Sequence, residues 1–428
     1  MDANALLIHR FKLQCNKFSG IISKGLKKTK RRLVKEIVYG IQASKDVKLS
    51  NISRALKEDI PLIKTEDRLS RNLDDTDLTE HINSQVLQLG SGKIDDTMVL
   101  ALDPGDMVKP YAKAMEKLCR VYDGSAHKYA DGYHLCQVTG ANLAHDRIVP
   151  LYCEAYSSLE EGYQGGTEKL KNVIRKVKEH IGTKGTWAID RQGDNAELID
   201  FFSQEQLRFV TRLKMNRYLH FGGKTNRQVK AERINKHMTM PHHAHIYITK
   251  DGKEEFLHLN YGAVTVSLPG KPNDWFTLVV VEGFGKIPML LLTNKEVNTR
   301  DNKQLWQIIE IYLTRWKCDE CFRYIKQSYN LEDFRVRSYT SIRNILVLVH
   351  AIAYFTSIFI GIAIKLKIMV QKIFILSKRF FGVPTFFNYA MADGIFEMLK
   401  VSKAGIGIHF KGKIGNNHSE FQLSLFPD

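Results

Sequence analysis

The stretch MVLALDPGD, residues 98–106, decides how this chain is read. An apolar run ends on Asp103, and Pro104-Gly105 is expected to turn the chain away at once, setting the carboxylate at the carboxyl end of a strand beside a turn. The stretch TWAIDRQGDN, residues 186–195, is built the same way, with Asp190 closing TWAI. A single Asp at a strand end is ordinarily a turn or helix cap. Two such strands as neighbours would bring two carboxylates together, close enough to share cations about 3.5–4 Å apart. Buried carboxylates are costly unless they are paired or hold a cation.

A third acid comes from YLTRWKCDECFRYIK, residues 312–326, which reads as a helix. Tyr312, Arg315, Asp319 and Lys326 lie at offsets 0, 3, 7 and 14. At about 100° per residue they stay within a sector of roughly 60° to 80° and share one face. Glu320 falls about 100° away from Asp319. Geometry therefore prefers Asp319 as the third metal ligand, while Glu320 has the longer reach. The plainer reading is an i,i+4 ion pair between Arg315 and Asp319 on a solvated helix, with Trp316 and Phe322 in the core. Three converging acids suggest a divalent-metal site in an enzyme acting on DNA.

Composition agrees with a polyanionic partner. The 63 Lys and Arg against 46 Asp and Glu give a net charge of +17. With 428 residues and 44% hydrophobic composition the chain supports two or three domains with a substantial core. Its six cysteines have no disulfide rhythm and fit a reducing, cytoplasmic setting, expected to be nucleoid-associated for a chain acting on DNA. The Cys318-x-x-Cys321 pair lacks a second pair for a structural zinc site. No signal peptide is expected at the start. The run Ile345 to Ile364 is long and apolar enough to span a bilayer but reads better as a helix buried in a soluble core.

Along the chain, residues 1–92 read as a helical DNA-binding domain. Leu33, Ile37 and Ile41 form an apolar stripe, Ser50 and Thr65 are candidate N-caps, and Ile52 and Leu56 face inward. A helix-turn-helix-like module and a plain helical bundle both fit. Residues 93–214 alternate strands and helices: TMVLALD, YHLCQVTG and IVPLYCEAY, then a helix with Leu170, Val173, Ile174 and Val177 on one stripe and Gly182 beyond it. TWAID, the helix ELIDFFSQ and the strand RFVTRLK follow. Residues 215–295 form a β-rich insertion with a hairpin signal at Asp251-Gly252. Residues 296–370 carry the third-acid helix and the apolar helix, and 371–428 a mixed C-terminal region with a turn or loop over GIGIHFKGKIGNN. The fold class is α/β: a mixed sheet flanked by helices, with an all-helical N-terminal region.

The segment from Tyr312 to Lys326 resembles the Tyr-x2-Arg-x3-Glu-x6-Lys signature of insertion-sequence transposases of the IS4 type. Tyr312, Arg315 and Lys326 match it, and Asp319, followed by Glu320, stands where that family has Glu. Asp103 in LALDPGDMVKPY and Asp190 in AIDRQGDN look like its first and second acids; Asp123 to Ser125 and Asp131 to Tyr133 also look familiar. The resemblance runs over roughly residues 20 to 400 in order and texture. It implies a DDE catalytic domain of ribonuclease-H-like fold with a β-rich insertion between the second and third acids. It further implies cleavage of terminal inverted repeats and strand transfer into target DNA, through a hairpin intermediate within a homodimeric complex.

On that reading Asp103, Asp190 and Asp319 or Glu320 hold two Mg²⁺ ions, for which Mn²⁺ can substitute. Arg315 and Lys326 hold phosphates, and Tyr312 positions a phosphate oxygen or stacks on sugar. Lys27, Lys28, Lys30, Arg31, Arg32 and Lys35 are candidate phosphate contacts, with Arg54, Arg68 and Arg71 reaching bases or backbone or else forming surface ion pairs. In the insertion, Arg217, Lys224, Arg227 and Lys230 are further candidates. Trp275 stacks on a base or packs, and His242, His243 and His245 are a weak zinc signal. Three rivals stay open: a metal-dependent nuclease or resolvase without strand transfer, a decayed element product that binds ends without cutting, and a membrane protein built on Ile345 to Ile364.

Overall fold

The computed structural model describes residues 3–124, 126–144, 147–221, 228–250, 253–360, 373 and 388–407. Five helices come first: α1 (Ala3–Ile22), α2 (Lys28–Ser44), α3 (Leu49–Leu56), α4 (Leu62–Asp74) and α5 (Thr79–Ser91). The expected stripe of α2 is buried, as are Ile52 and Leu56 of α3. Gly40 lets the two helices close, because a Cβ there would lie 2.5 Å from Ile52 Cγ2. The expected caps do not hold: Ser50 and Thr65 sit inside α3 and α4. Asp46 serves the start of α3 instead, one carboxylate oxygen accepting from Lys48 N and the other from Asn51 Nδ2.

The sheet begins with β1 (Val99–Val108), β2 (Cys119–Asp123), β3 (Lys128–Ala141) and β4 (Ile148–Tyr156). Helix α6 (Gly166–Ile181), β5 (Thr186–Ile189), α7 (Ala196–Gln204) and β6 (Phe209–Arg212) follow. The stripe of α6 is buried as its spacing predicts, and Gly182 ends it with φ +69°. β3 pairs antiparallel with β1 along one edge; along the other it meets β2 at Lys128–Gly132 and β4 from His134 onward. β5 runs parallel to β1, and β6 parallel to β5. The resulting order β4-β3-β1-β5-β6 is a ribonuclease-H-like arrangement, with β2 as a strand the sequence reading did not separate.

Pro104-Gly105 does not turn the chain. β1 continues to Val108, with Pro104 opposite Cys136 and Gly105 opposite Leu135. β5 stops at Ile189, so beyond Leu102 this strand is paired on β3's side alone, where a proline without an N–H is tolerated. Asp103 is therefore in mid-strand.

The β-rich insertion comprises β7 (Tyr218–Phe221), β8 (Gln228–Lys230), a short α8 (Ala231–Asn235), β9 (His242–Lys250), β10 (Lys253–Leu268) and β11 (Lys271–Glu282), before β12 (Met289–Thr293). It extends the same sheet: β12 pairs antiparallel with β6, and β11, β10, β7 and β8 follow in order. Lys250 of β9 pairs with Lys253 of β10; the expected turn at Asp251-Gly252 lies outside the described residues.

The helix expected over residues 312–326 is interrupted at Arg315, where α9 (Asn302–Thr314) meets α10 (Trp316–Tyr329). Asp301 caps α9 by accepting from Lys303 N and Gln304 N. Trp316, expected in the core, is 43% exposed.

Helix α11 (Tyr339–Tyr354) and a π-helical turn (Phe355–Phe359) form the one described run long and apolar enough to cross a membrane, and most of it is buried inside the fold. Residues 361–364 of the apolar stretch lie outside the described residues, as does 408–417 of the expected C-terminal loop; α12 (Asn388–Lys400) is described. Asn344 of α11 fastens the connection between α4 and α5: its Nδ2 donates to Leu73 O and Thr76 O, and its Oδ1 accepts from Leu78 N. Asn344→Ala strands three backbone groups, two of them deep in the protein. It is expected to lower the free energy of unfolding by about 3 kcal/mol in urea titration, whereas a loss under about 1 kcal/mol would show that the connection holds without it.

Candidate active site

The parallel ladder sets the site. Its last pair is Leu102 with Ile189, so Asp103 and Asp190 are the next residues on adjacent strands. Side chains alternate along a strand, and Val99 of β1, Ala188 of β5 and Val210 of β6 belong to one apolar cluster on one face. Asp103 and Asp190 continue that face. Leu305, Ile308, Ile309 and Tyr312 of α9 cover it, and α10 carries the chain on over β1.

Arg315, at the junction of the two helices, is 7% exposed and points its guanidinium at the acids. Its Nη1 lies 3.0 Å from Asp319 Oδ1 and 3.9 Å from Asp103 Oδ1. The i,i+4 pair of Arg315 and Asp319 thus exists, but in a half-enclosed setting over the sheet. The Tyr312 ring lies 5.7 Å from the guanidinium carbon, and Tyr312 itself is 2% exposed, so it steadies Arg315. Lys326 Nζ pairs with Glu332 at 2.7 Å and lies close enough to act on the Asp103 carboxyl. Glu320 turns outward to Arg323, 3.0 Å away.

The charges interact strongly. Burial, then the neighbouring Asp319 and Asp190 carboxylates, push the Asp103 carboxyl up to about 7 against the pull of Arg315 and Lys326. Burial and Asp190 likewise raise Asp319, with Arg315 opposing. Burial by itself would lower Arg315, but Asp319, Tyr312, Asp103 and Asp190 outweigh it and raise the guanidinium further. Asp190 also keeps its local duty, one carboxylate oxygen accepting from Gln192 N to cap a short turn over Arg191–Gly193. Gly193 is required there, since a Cβ would meet Thr211 Oγ1 at 2.3 Å.

Among the described residues no three His, Cys, Asp or Glu side chains already stand as a metal cage. The donor set nevertheless suits a hard divalent cation: carboxylate oxygens only, mutually repelling, shared with one guanidinium whose Nε is buried without a partner. His243, His245 and His258 cluster on the exposed face of the β9–β10 hairpin, with His245 Nε2 2.6 Å from His258 Nδ1, while His242 lies against Tyr261.

Sequence reading missed two supports. Lys109, near the end of β1, donates to Glu332 O and to Phe334 O and lies 3.4 Å from the Phe334 ring centre, fastening the segment after α10 to β1. Burial lowers it to about 8. Asp194 accepts from Lys214 N and pairs with Arg217 at 3.4 Å, so this arginine is engaged within the fold. A lysine or aspartate beside a turn gives no signal of such a role.

The basic N-terminal residues divide. Lys27, Lys28 and Arg31 are exposed, with Lys35 half-buried, and Lys27, Arg31 and Lys35 follow one another at four-residue steps. Lys30 is buried and bonds to Asn72 O and Asp75. Arg32 and Arg68 both grip Glu36 and Glu58, Arg54 bonds to Asn51, and Arg71 to Asp67 O. Lys230 immediately precedes α8, Trp275 is 51% exposed, and Lys224 and Arg227 lie outside the described residues.

No protein-family model and no curated protein matches this chain. Among solved structures, the synaptic complex of piggyBac transposase with hairpin DNA matches over 91% of this chain and 80% of that one, at 11% identity and a TM-score of 0.47. At that level the site is read from its own side chains.

The raised Asp103 carboxyl has a consequence for stability. Unfolded, it titrates near about 3.9; folded, near about 7. Between those values the folded chain keeps a proton that the unfolded chain releases, so this group lowers stability as pH rises through the window. The side chain retains 22% exposure, which screens part of the effect. Without divalent metal, Asp103→Asn is expected to raise the melting temperature at pH 8 and leave it nearly unchanged at pH 4; lower stability at pH 8 would contradict the assignment.

Proposed function

We propose that this protein is a metal-dependent nuclease that hydrolyses DNA phosphodiesters at the site formed by Asp103 in the middle of β1 and Asp190 just beyond β5. The observation that carries the reading is the placement of Asp103 and Asp190 on adjacent parallel strands, with Asp319 brought over them from α10 and Arg315 between. Asp103, Asp190 and Asp319 would hold Mg²⁺. When bound, such ions activate the attacking oxygen and neutralise charge on the leaving 3′-oxygen.

The remaining roles belong to the chain. Arg315 balances the acids at rest; a phosphate arriving beside them offers its planar fork a second anionic partner. Tyr312 acts through Arg315 by fixing the plane of the guanidinium. Lys326, on its flexible stem, exchanges Glu332 for a phosphate oxygen, and Lys109 keeps α10 in place while it does so. Lys27, Lys28, Arg31 and Lys35 supply a stripe for DNA backbone contact, whereas Lys30, Arg32 and Arg68 are engaged in holding the helices together. Exposed Trp275 is a base-stacking candidate.

Strand transfer is the second reading, a DDE transposase of the IS4 type working on terminal inverted repeats as a dimer. The motif from Tyr312 to Lys326 and the β-rich insertion between Asp190 and Asp319 favour it. Labelled duplexes carrying the DNA that flanks the reading frame, incubated with Mg²⁺, separate the readings. Nicked or cut ends alone support the nuclease, cut ends joined to new DNA support the transposase, and binding without cutting indicates a decayed enzyme.

Asp103→Asn, Asp190→Asn and Asp319→Asn are each expected to lower cleavage at least 100-fold, and Glu320→Ala to damage it less than Asp319→Ala. The reverse order would move the ligand role to Glu320. Neutralising Lys27, Lys28, Arg31 and Lys35 together is expected to weaken binding across DNA sequences and flatten the dependence of log K on log salt by up to about 0.9 per lost contact. An unchanged slope removes α2 from the interface.

A further inference from the structure

A second group of reactive side chains lies on the far reach of β1, apart from the three acids. β1 and β3 pair Asp106 with His134, and the two side chains meet, His134 Nδ1 lying 2.7 Å from Asp106 Oδ1. β2 and β3 pair Cys119 with Gly132. Gly132 and His134 are two apart on one strand and share a face, so Cys119 is the diagonal neighbour of His134 on that face. The thiol donates to Gly132 O at 3.4 Å. With Nδ1 held by Asp106, the other ring nitrogen of His134 is left on the side of the sulfur, close enough for the two groups to shift each other's titration. The His134 ring is braced by stacking on Tyr156 at 5.2 Å.

We propose that Cys119, His134 and Asp106 form a thiolate–imidazolium–carboxylate site that reacts with small electrophiles, hydrogen peroxide in particular. A nucleophile, a base within reach and a third group orienting that base are the elements that activate a thiol. Cys119 is only 4% exposed, while the His134 and Asp106 side chains keep 25% each, an opening suited to a small oxidant rather than a polymer.

The electrostatics support the geometry. Burial would raise the Cys119 thiol, but the polar neighbours His134, Ser157 and Ser158 outweigh it and bring it to about 7. His134 is lifted to about 9 by its bond to Asp106 and by its neighbour Cys119. Tyr163 lies within electrostatic reach of the sulfur, and so does Tyr133 from the other face of β3, with Glu160 and Glu116 beside them. The other described thiols, Cys15, Cys136, Cys153 and Cys321, are all pushed the opposite way by burial.

In the reaction the thiolate sulfur attacks one peroxide oxygen. The S–O bond forms as the O–O bond breaks, and the departing hydroxide takes the proton of the His134 imidazolium to leave as water. Cysteine is oxidised to sulfenic acid and peroxide is reduced. The step is independent of the nuclease reading.

The test uses the full chain. Alkylation by iodoacetamide, read by mass spectrometry across pH 5 to 10, is expected to label Cys119 with a midpoint near pH 7, and His134→Gln to slow labelling at pH 7 by on the order of tenfold and move the midpoint upward. Peroxide followed by dimedone is expected to tag Cys119 in the folded protein, reversibly by thiol reductant before trapping. A Cys119 midpoint at or above pH 8.5 in the wild-type protein, or dimedone tags on other cysteines with none on Cys119, would overturn the proposal, and neither outcome depends on a variant folding.

Discussion

Four parallel residue pairs between β1 and β5, ending at Leu102 with Ile189, are the constraint on which the candidate site depends. They place Asp103 and Asp190 side by side, and the period of two along each strand sends both to the face beneath α9 and α10. A register slip of one residue would bury a carboxylate among Leu100, Trp187 and Phe209 on the opposite face and expose Leu102 in its place. The apolar residues flanking each acid therefore specify the acids' position more firmly than the acids do themselves.

What the ladder brings together, electrostatics pushes apart. Three carboxylates share a half-enclosed space, and Asp103 responds by holding its proton toward neutral pH. Arg315 partly compensates from a helix junction where the chain changes from α9 to α10. Tyr312 beneath it and Lys109 at the far end of β1 keep that junction over the sheet. The proton held by Asp103, with Arg315 and Lys326 close by, is what relieves the crowding of the three carboxylates.

Much of this was legible in the sequence. The apolar runs ending on Asp103 and Asp190 named the two strands, and the offsets from Tyr312 to Lys326 named the helix face. Separating Asp319 from Glu320 needed only 100° per residue, and the structure indeed turns Glu320 outward to Arg323. Pro104-Gly105 misled, because strand pairing on a single side accommodates a proline that local turn propensity would not. That the insertion continues the same sheet is not readable from local periodicity, because pairing partners such as β6 and β12 are about 80 residues apart. Lys30 and Arg68 read as a basic surface, since their acidic partners Asp75, Glu36 and Glu58 come from other parts of the helical region, whereas Arg32 has one partner, Glu36, a single turn away on α2 and a second, Glu58, beyond it. Cys119 and His134 were invisible for the same reason: a β-ladder joins them.

The most direct test of the central claim is Mn²⁺ binding to the DNA-free protein, followed by electron paramagnetic resonance of the free ion at pH 8. Saturable binding is expected, abolished or weakened at least tenfold by each of Asp103→Asn, Asp190→Asn and Asp319→Asn, with Glu320→Gln close to the unaltered protein. Binding that survives all three substitutions, or is lost only with Glu320, would contradict the claim.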